Sequence, residues 1–75
     1  MDLWIRSQDK TKLKKTNYLQ VEFDSWQNKS AIICNTDVVA VYKTKERALE
    51  ILDEIETMLL ENFNESCLVY EMPKE

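Results

Sequence analysis

Short apolar runs dominate the first 42 residues, and some of them alternate with polar residues in the two-residue period of a half-buried β-strand. The clearest alternation lies between Asn17 and Asp24, while Val38 to Tyr42 is apolar enough for a central strand. Polar segments at 25–29 and 35–37 predict turns, the first with an exposed Trp26. We predict strands over 3–7, 17–24, 31–34 and 38–42, and a basic loop or wide turn over 8–16.

After Thr44, apolar residues recur at spacings of three and four, which is typical of one face of an amphipathic helix. Thr44 is a good N-cap residue, and Asn62 and Asn64 are good stop residues, so we predict a helix between them. Its apolar face consists of Ala48, Ile51, Leu52, Ile55, Met58 and Leu59, with Phe63 as a further candidate. A last strand over 66–70 follows, and Pro73 ends it.

This order of elements predicts an α+β fold, with a small antiparallel sheet of about four to five strands and one amphipathic helix packed on one face. Residues 1–75 form a single domain, because a chain of this length has no room for two. One helix cannot cover every aromatic side chain, so we predict that a second copy covers the other face in a homo-oligomer, a dimer or higher. The alternative is that the 8–16 loop folds over that face.

The composition excludes several kinds of site. The chain has no glycine, which excludes a glycine-rich phosphate loop and a dinucleotide fingerprint. It has no histidine, which excludes Ser-His and Cys-His catalysis and the usual zinc sites. No constellation of catalytic side chains is visible, so we expect a protein that is not an enzyme and has no cofactor or metal ion.

Two further features bear on location and redox state. No apolar run approaches the roughly 20 residues that cross a bilayer, and the polar first residues are unlike a signal peptide. We therefore expect a cytoplasmic protein without a membrane partner. Cys34 and Cys67 both lie in apolar runs, so we expect reduced thiols packed as small hydrophobic side chains, rather than a disulfide or a reactive site.

Charge is segregated along the chain, whose formal net charge is −4. Residues 1–15 carry five positive and two negative side chains, whereas residues 48–75 carry one positive and eight negative side chains. The overall acidity argues against general nucleic-acid binding. The predicted helix is also charged in the unfavourable direction, with bases in its first turn and acids in its second half.

The basic start of the helix is the candidate binding site. A helix N-terminus presents unpaired N–H groups to anions, and nearby cations and a hydroxyl favour a phosphate or carboxylate ligand. Tyr42 or Trp4 would stack on a base, and Arg6 would add charge if the first strand lies nearby. The alternative is that these bases are solvated or pair with acids such as Glu22 or Glu71. The predicted ligand-binding residues are Trp4, Arg6, Tyr42, Lys43, Thr44, Lys45 and Arg47.

The acids of the helix have three interpretations. They form a solvated outer face, a surface that mimics nucleic acid and blocks a basic partner, or a carboxylate metal site. The third is the weakest, because acids one turn apart on an outer helix face rarely converge on one ion. The residues concerned are Glu46, Glu50, Asp53, Glu54, Glu56 and Glu61.

Three segments resemble a group of small, mostly uncharacterised phage and prophage proteins of Gram-positive bacteria. They are residues 4–10 (WIRSQDK), 42–55 (YKTKERALEILDEI) and 69–73 (VYEMP). Members typically have a short first strand, a tyrosine-led strand that runs into a helix, and an aromatic-x-Met-Pro close. Many have a glycine shortly before the tyrosine, where this chain has Ala40 and Val41. The resemblance implies a phage context, and phage proteins of this size often counter bacterial defence systems.

Two counter-defence functions fit these residues. In the first, a non-enzymatic oligomer sequesters a phosphate-bearing nucleotide immune signal, a cyclic nucleotide or an ADP-ribose derivative, without cleaving it. The basic helix start favours this function. In the second, the chain binds and blocks a host defence protein through its acidic helix or its aromatic face. A third possibility is a structural or regulatory phage accessory with no small ligand.

Overall fold

A computed structural model describes residues 2–75 and contains six strands and one helix in that range. The predicted α+β class and the single amphipathic helix are confirmed. The strands form two three-stranded sheets, where the sequence predicted one sheet of four to five. The elements are β1 (Asp2–Arg6), β2 (Leu13–Thr16), β3 (Leu19–Asp24), β4 (Lys29–Cys34), β5 (Asp37–Tyr42), α1 (Lys45–Glu61) and β6 (Cys67–Glu71).

The first sheet has the strand order β2-β1-β6. β1 is antiparallel to β2 and parallel to β6, so the first and last strands of the chain are neighbours. The loop predicted over 8–16 is wrong in its second half, because Leu13–Thr16 pairs with β1. Two ion pairs support this strand: Lys14 with Asp37 of the other sheet, and Lys15 Nζ with Asp2 Oδ1 at 3.3 Å.

The second sheet is an antiparallel meander, β3-β4-β5. Its two turns need residues with positive φ, and the chain supplies asparagines, Asn28 at 54° and Asn35 at 58°. Asparagine tolerates this left-handed region better than other non-glycine residues, so a chain without glycine still makes tight turns. The predicted turns at 25–29 and 35–37 are thus confirmed, with small shifts of their bounds.

The helix begins and ends as the sequence predicts. Thr44 has extended backbone angles, φ −128° and ψ 151°, and its hydroxyl oxygen accepts a hydrogen bond from the Arg47 amide at 3.1 Å. At the other end the backbone N–H and side-chain Nδ2 of Asn62 both donate to the Met58 carbonyl, at 3.0 and 2.9 Å. Both ends are therefore capped by residues local to the helix.

The core lies between the helix and the second sheet, and the first sheet closes one side of it. Ala48, Ile51 and Ile55 are the buried helix residues. Each large apolar side chain buried in this way contributes about 1.5–3 kcal/mol to folding. The other buried hydrophobic residues are Ile5, Ile32, Cys34, Val39, Ala40, Tyr42 and Met72.

The two cysteines differ in burial. Both are free thiols, and Cys34 is buried in the core as predicted. The prediction that Cys67 is a core residue is wrong, because this side chain is exposed. Cys67 begins β6, an outer strand whose half-buried positions are Leu68 and Tyr70, and the two-residue period of a strand turns Cys67 the other way.

The outer faces of both sheets remain uncovered by the helix. Trp26 at the tip of the β3–β4 hairpin is 96% exposed, and Val38 and Val41 are both exposed on β5. Residues 13–16 extend the first sheet sideways, whereas Gln8 lies beside β5 and leaves Val38 and Val41 exposed. Within residues 2–75 no helix is long and apolar enough to cross a membrane.

Candidate functional site

A cavity of about 450 Å³ lies where β5 ends and the helix begins. Four of its lining residues are cationic: Lys29, Lys43, Arg47 and Lys74. The remaining lining residues are Val41, Tyr42, Thr44 and Glu75. We call this space the cationic cavity. Its residues come from the start of β4, the end of β5, the first turn of α1 and the segment after β6, so four separate parts of the chain build it.

The local sequence explains how one wall of the cationic cavity forms. Tyr42 ends β5, Lys43 makes the bend, and Thr44 caps the helix within the same three residues. The Thr44 hydroxyl accepts from Arg47, and its carbonyl accepts from Ala48 at 3.3 Å. The hydroxyl proton of Thr44 is therefore left to donate. The first amides of a helix have no carbonyl partner inside it, but that of Arg47 is bonded to the Thr44 hydroxyl and those of Lys45 and Glu46 belong to residues that do not line the cavity. The donors that this wall offers to an anion are therefore the Thr44 hydroxyl and the side chains of Lys43 and Arg47.

Arg47 is half-buried and already oriented. Its Nε donates a hydrogen bond of 3.0 Å to the backbone carbonyl of Glu75. A guanidinium carries five N–H donors in a fixed plane, so this contact uses one donor and holds the plane of the others. An arginine held in this way can offer its remaining donors to a phosphate group in a two-pronged contact.

The four predicted cationic residues do not lie together, because only two of them line the cationic cavity. Lys43 and Arg47 line the cationic cavity, whereas Lys45 is exposed one residue into the helix and does not line it. Arg6 lies on β1 in the first sheet, and its Nε donates to the carbonyl of Lys10 at 2.9 Å. Arg6 does not line the cavity either, and it instead holds the loop that follows β1.

The two aromatic residues predicted to stack on a base are placed differently from that prediction. Trp4 lies in the middle of β1, between Lys15 and Val69, and does not line the cationic cavity. Tyr42 lines the cavity, but it is only 3% exposed and belongs to the core. Stacking needs an open ring face, so Tyr42 is corrected from a stacking residue to a buried part of the wall.

Burial changes the chemistry of Tyr42. Its hydroxyl donates a hydrogen bond of 2.6 Å to the carbonyl of Pro73. Burial, together with the nearby Tyr70, raises the pKa of Tyr42 to about 12. The phenol is thus neutral at physiological pH and acts as a structural donor. Burial also raises the pKa of Tyr70, with Glu54 adding to the effect.

Sequence reasoning missed four residues that line the cavity, Lys29, Val41, Lys74 and Glu75, and it also missed Gln8 beside it. Lys29 and Lys74 reach the cationic cavity from segments that are remote in sequence, and no local motif marks either of them. Gln8 does not line the cavity, but its side chain ties the segment after β6 to β5. Only the pairing of distant strands brings these residues together.

The acids of the helix line a separate, more open groove of about 650 Å³. Arg47 lies at the boundary, because it lines both this groove and the cationic cavity. The sequence interpretation of these acids as an outer helix face agrees with their exposure, and the described residues hold no group of three or more acidic or cysteine side chains suited to a metal ion. The acids in the groove are Glu50, Asp53, Glu54 and Glu61.

Comparisons with protein-family models, with curated proteins and with solved structures find no match to this chain.

Proposed function

We propose that this chain is a non-enzymatic, phage-encoded binding protein that counters a bacterial defence system. It acts in the cytoplasm of the host cell by sequestering a phosphate-bearing nucleotide signal, and it does so as a homo-oligomer. The phage context comes from the resemblance of three sequence segments, and the ligand class comes from the chemistry of the cationic cavity.

One observation carries the ligand class: four cationic side chains and a helix N-cap line the same cavity. Lys29, Lys43 and Lys74 act as flexible point charges, whereas Arg47 is held in place by Glu75. Glu75 supplies the one carboxylate among the residues that line the cavity, so four positive side chains face a single negative one and the cavity keeps an excess of positive charge. Such a site favours a compact dianion over a singly charged carboxylate.

The shape of the cavity supports the oligomer. Sites that retain small ligands bury about 70–90% of the ligand surface, and a cavity open at the surface of one small chain does not achieve this. Val41 lines the cationic cavity and is also exposed on the outer face of the second sheet, beside Val38. A second copy on this apolar surface would cover the cavity mouth as well.

A thermal-shift screen tests the proposal with cyclic dinucleotides, cyclic trinucleotides and ADP-ribose derivatives. A ligand at 100 times its dissociation constant stabilises the folded state by about 2.7 kcal/mol, which is a shift on the order of ten degrees for a domain of this size. The ligand is then released by heating and analysed. Recovery of the intact ligand supports sequestration, and recovery of a cleaved product contradicts it.

Two variants of the same helical turn sharpen the experiment. Arg47→Glu reverses a charge that lines the cationic cavity, and Lys45→Glu reverses a neighbouring charge that does not. Both place an acid in the first helical turn, where the helix dipole favours it, so both should fold. We expect Arg47→Glu to abolish the ligand-induced shift and Lys45→Glu to keep it. If both variants lose the ligand-induced shift equally, the ligand responds to the general surface charge and the assignment of the cationic cavity is wrong.

A second function is favoured by two other features of the surface, an exposed aromatic side chain and an acidic groove. Trp26 is 96% exposed at a hairpin tip, and an open acidic groove runs along the helix. Aromatic anchors of this kind dominate the binding energy of many protein interfaces. In this alternative the chain is an inhibitor that binds and blocks a host defence protein. A flat ligand screen, together with capture of one host protein at fixed stoichiometry that Trp26→Ala abolishes, would favour it.

A further inference from the structure

The side chain of Gln8 makes an unusual set of contacts just after β1. Its Oε1 accepts a hydrogen bond from the Val41 amide at 2.9 Å, and its Nε2 donates back to the Val41 carbonyl at 3.1 Å. Nε2 also lies 3.3 Å from the Pro73 carbonyl and 2.6 Å from the Lys74 carbonyl. One amide group thus joins β5 to the segment that follows β6.

These contacts occupy a place that a strand would otherwise take. β5 pairs with β4 on one side only, and the backbone of Gln8 donates to the Val39 carbonyl at 2.8 Å on the other side. The side-chain amide then pairs with Val41 in both directions, as a neighbouring peptide group would. A primary amide has both an acceptor oxygen and two N–H donors, and a carboxylate or a hydroxyl of similar length does not match this pattern.

The segment over residues 72–75 is held from three further sides. Tyr42 donates to Pro73 at 2.6 Å, and Arg47 donates to Glu75 at 3.0 Å. The Met72 amide donates to the carbonyl of Arg6 on β1. Gln8 acts in the middle of the segment, because its Nε2 donates a hydrogen bond to the carbonyl of Lys74.

We propose that Gln8 is a positioning residue of the cationic cavity: it fixes residues 73–75 against β5 and so sets where Lys74 and Glu75 stand in the cavity wall. The part of this inference that concerns affinity rests on the proposed function. The part that concerns the order of residues 73–75 rests on hydrogen bonds alone, and it can be measured without any ligand.

The first arm of the experiment measures the segment directly. Steady-state ¹H–¹⁵N NOE values of Lys74 and Glu75 report fast backbone motion in the wild type, in Gln8→Ala and in Gln20→Ala. Gln20 is the matched control, because it is a glutamine on β3 whose side chain accepts from the Tyr18 hydroxyl and makes no hydrogen bond to residues 72–75. We expect lower values for Lys74 and Glu75 in Gln8→Ala alone. Unchanged values in Gln8→Ala overturn the inference.

A second variant covers the case in which Gln8→Ala does not fold. Gln8→Glu keeps an oxygen that accepts from the Val41 amide, but it replaces Nε2 by a second oxygen that repels the carbonyls of Pro73 and Lys74. Gln8→Glu therefore keeps the hydrogen bond from the Val41 amide on β5 and removes those to residues 73 and 74. Loss of order at Lys74 in Gln8→Glu supports the inference, and wild-type order at Lys74 overturns it.

The second arm measures binding of inorganic pyrophosphate by calorimetry in a double-mutant cycle with Lys74→Gln. If Gln8 acts by placing Lys74, Gln8→Ala lowers the affinity about two- to fivefold in the wild-type background and has little effect once Lys74 is already neutral. A purely structural role predicts equal losses in the two backgrounds, and that result overturns the positioning role.

The two proposals fail in different ways. If neither pyrophosphate nor any nucleotide binds the wild type, the proposed function fails and the NOE measurement still decides the role of Gln8. If ligands bind and Gln8→Ala changes neither the affinity nor the order of residues 73–75, the proposed function stands and the inference about Gln8 is wrong.

Discussion

The Tyr42 hydroxyl and the Pro73 carbonyl form a hydrogen bond of 2.6 Å that ties the end of β5 to the segment after β6. Tyr42 is 3% exposed, so this bond lies at the border between the core and the cationic cavity. The same phenol therefore supports the fold and one wall of the candidate site.

The burial of the Tyr42 phenol predicts a loss of stability at alkaline pH. The pKa of Tyr42 is raised to about 12 in the folded protein, above the value of about 10 expected when it is unfolded. The folded state thus favours the protonated phenol, whose stabilisation is complete below pH 10 and is lost as the pH rises towards 12. Denaturant unfolding between pH 8 and 12 should show a steeper loss in the wild type than in Tyr42→Phe.

Controls separate this effect from the loss of a hydrogen bond. At neutral pH, Tyr42→Phe should cost about 0.5–1.5 kcal/mol, towards the lower end, because Gln8 Nε2 also reaches the Pro73 carbonyl. Tyr18→Phe removes a hydroxyl from an exposed side chain and is the matched control. Parallel pH curves for wild type and Tyr42→Phe would contradict the prediction.

The Ser30 side chain predicts a stabilising substitution. Ser30 is fully buried, and its hydroxyl has no hydrogen-bond partner among residues 2–75. A buried hydroxyl without a partner loses its hydration and gains nothing in return. We expect Ser30→Ala to raise the free energy of unfolding by about 1 kcal/mol, measured by urea denaturation.

Ser7 is the matched control for this substitution. Ser7 is also buried, but its hydroxyl donates to Asp9 at 2.7 Å and accepts from the Lys12 amide at 3.0 Å. Ser7→Ala should therefore destabilise the fold by about 1–3 kcal/mol. A loss of stability in Ser30→Ala, in place of the expected gain, would contradict the prediction and mean that the Ser30 hydroxyl is hydrogen-bonded.

The β4–β5 turn predicts opposite outcomes for glycine and alanine. Asn35 has a φ of 58°, where a Cβ atom costs about 1–2 kcal/mol unless the side chain is asparagine or aspartate. The backbone N–H of Asn35 also donates to the Tyr18 carbonyl at 3.1 Å, which links this turn to the start of β3 and is kept in both variants. Asn35→Gly should be nearly neutral and Asn35→Ala clearly destabilising in thermal unfolding. If Asn35→Gly is the less stable of the two variants, the backbone angle at residue 35 does not determine the stability of this turn.

The loop after β1 predicts sensitivity to acid. Asp9 Oδ1 accepts from the hydroxyls of Ser7 and Thr11, both at 2.7 Å, and from the Thr11 amide at 3.0 Å. These hydrogen bonds, led by that from Ser7, lower the pKa of Asp9 to about 2. The folded state favours the carboxylate, so its stabilisation is complete above about pH 4 and is lost as the pH falls towards 2.

Asp9→Asn tests whether the Asp9 carboxylate causes the acid sensitivity, because the amide oxygen can still accept hydrogen bonds but carries no charge. We expect the variant to lose less stability than the wild type when thermal unfolding is followed from pH 5 to pH 2. Asp37→Asn is an informative comparison, since the ion pair with Lys14 also lowers the pKa of Asp37. If the acid sensitivity of Asp9→Asn equals that of the wild type, the loop is not its source.

The elements that were predicted correctly are those whose causes are local. The helix is delimited by Thr44 and Asn62, whose own side chains make the capping bonds. The turn at Asn35 follows from one backbone angle. The sequence does not predict β2, because its four residues include one apolar side chain, Leu13, and the ion pair that supports the strand joins Lys14 to Asp37, 23 residues further along the chain.

The sequence by itself determined the α+β class, the amphipathic helix and the bend from Tyr42 through Thr44, because period, capping and turn chemistry act over a few residues. Only the tertiary structure decided that the strands divide into two sheets, that Arg6 does not line the cavity with Arg47, and which lysines complete the cationic cavity. The physical reason is strand pairing: the alignment of β1 with β6 is chosen by burial and hydrogen bonds across the whole chain, and that alignment brings residues 72–75 beside β5.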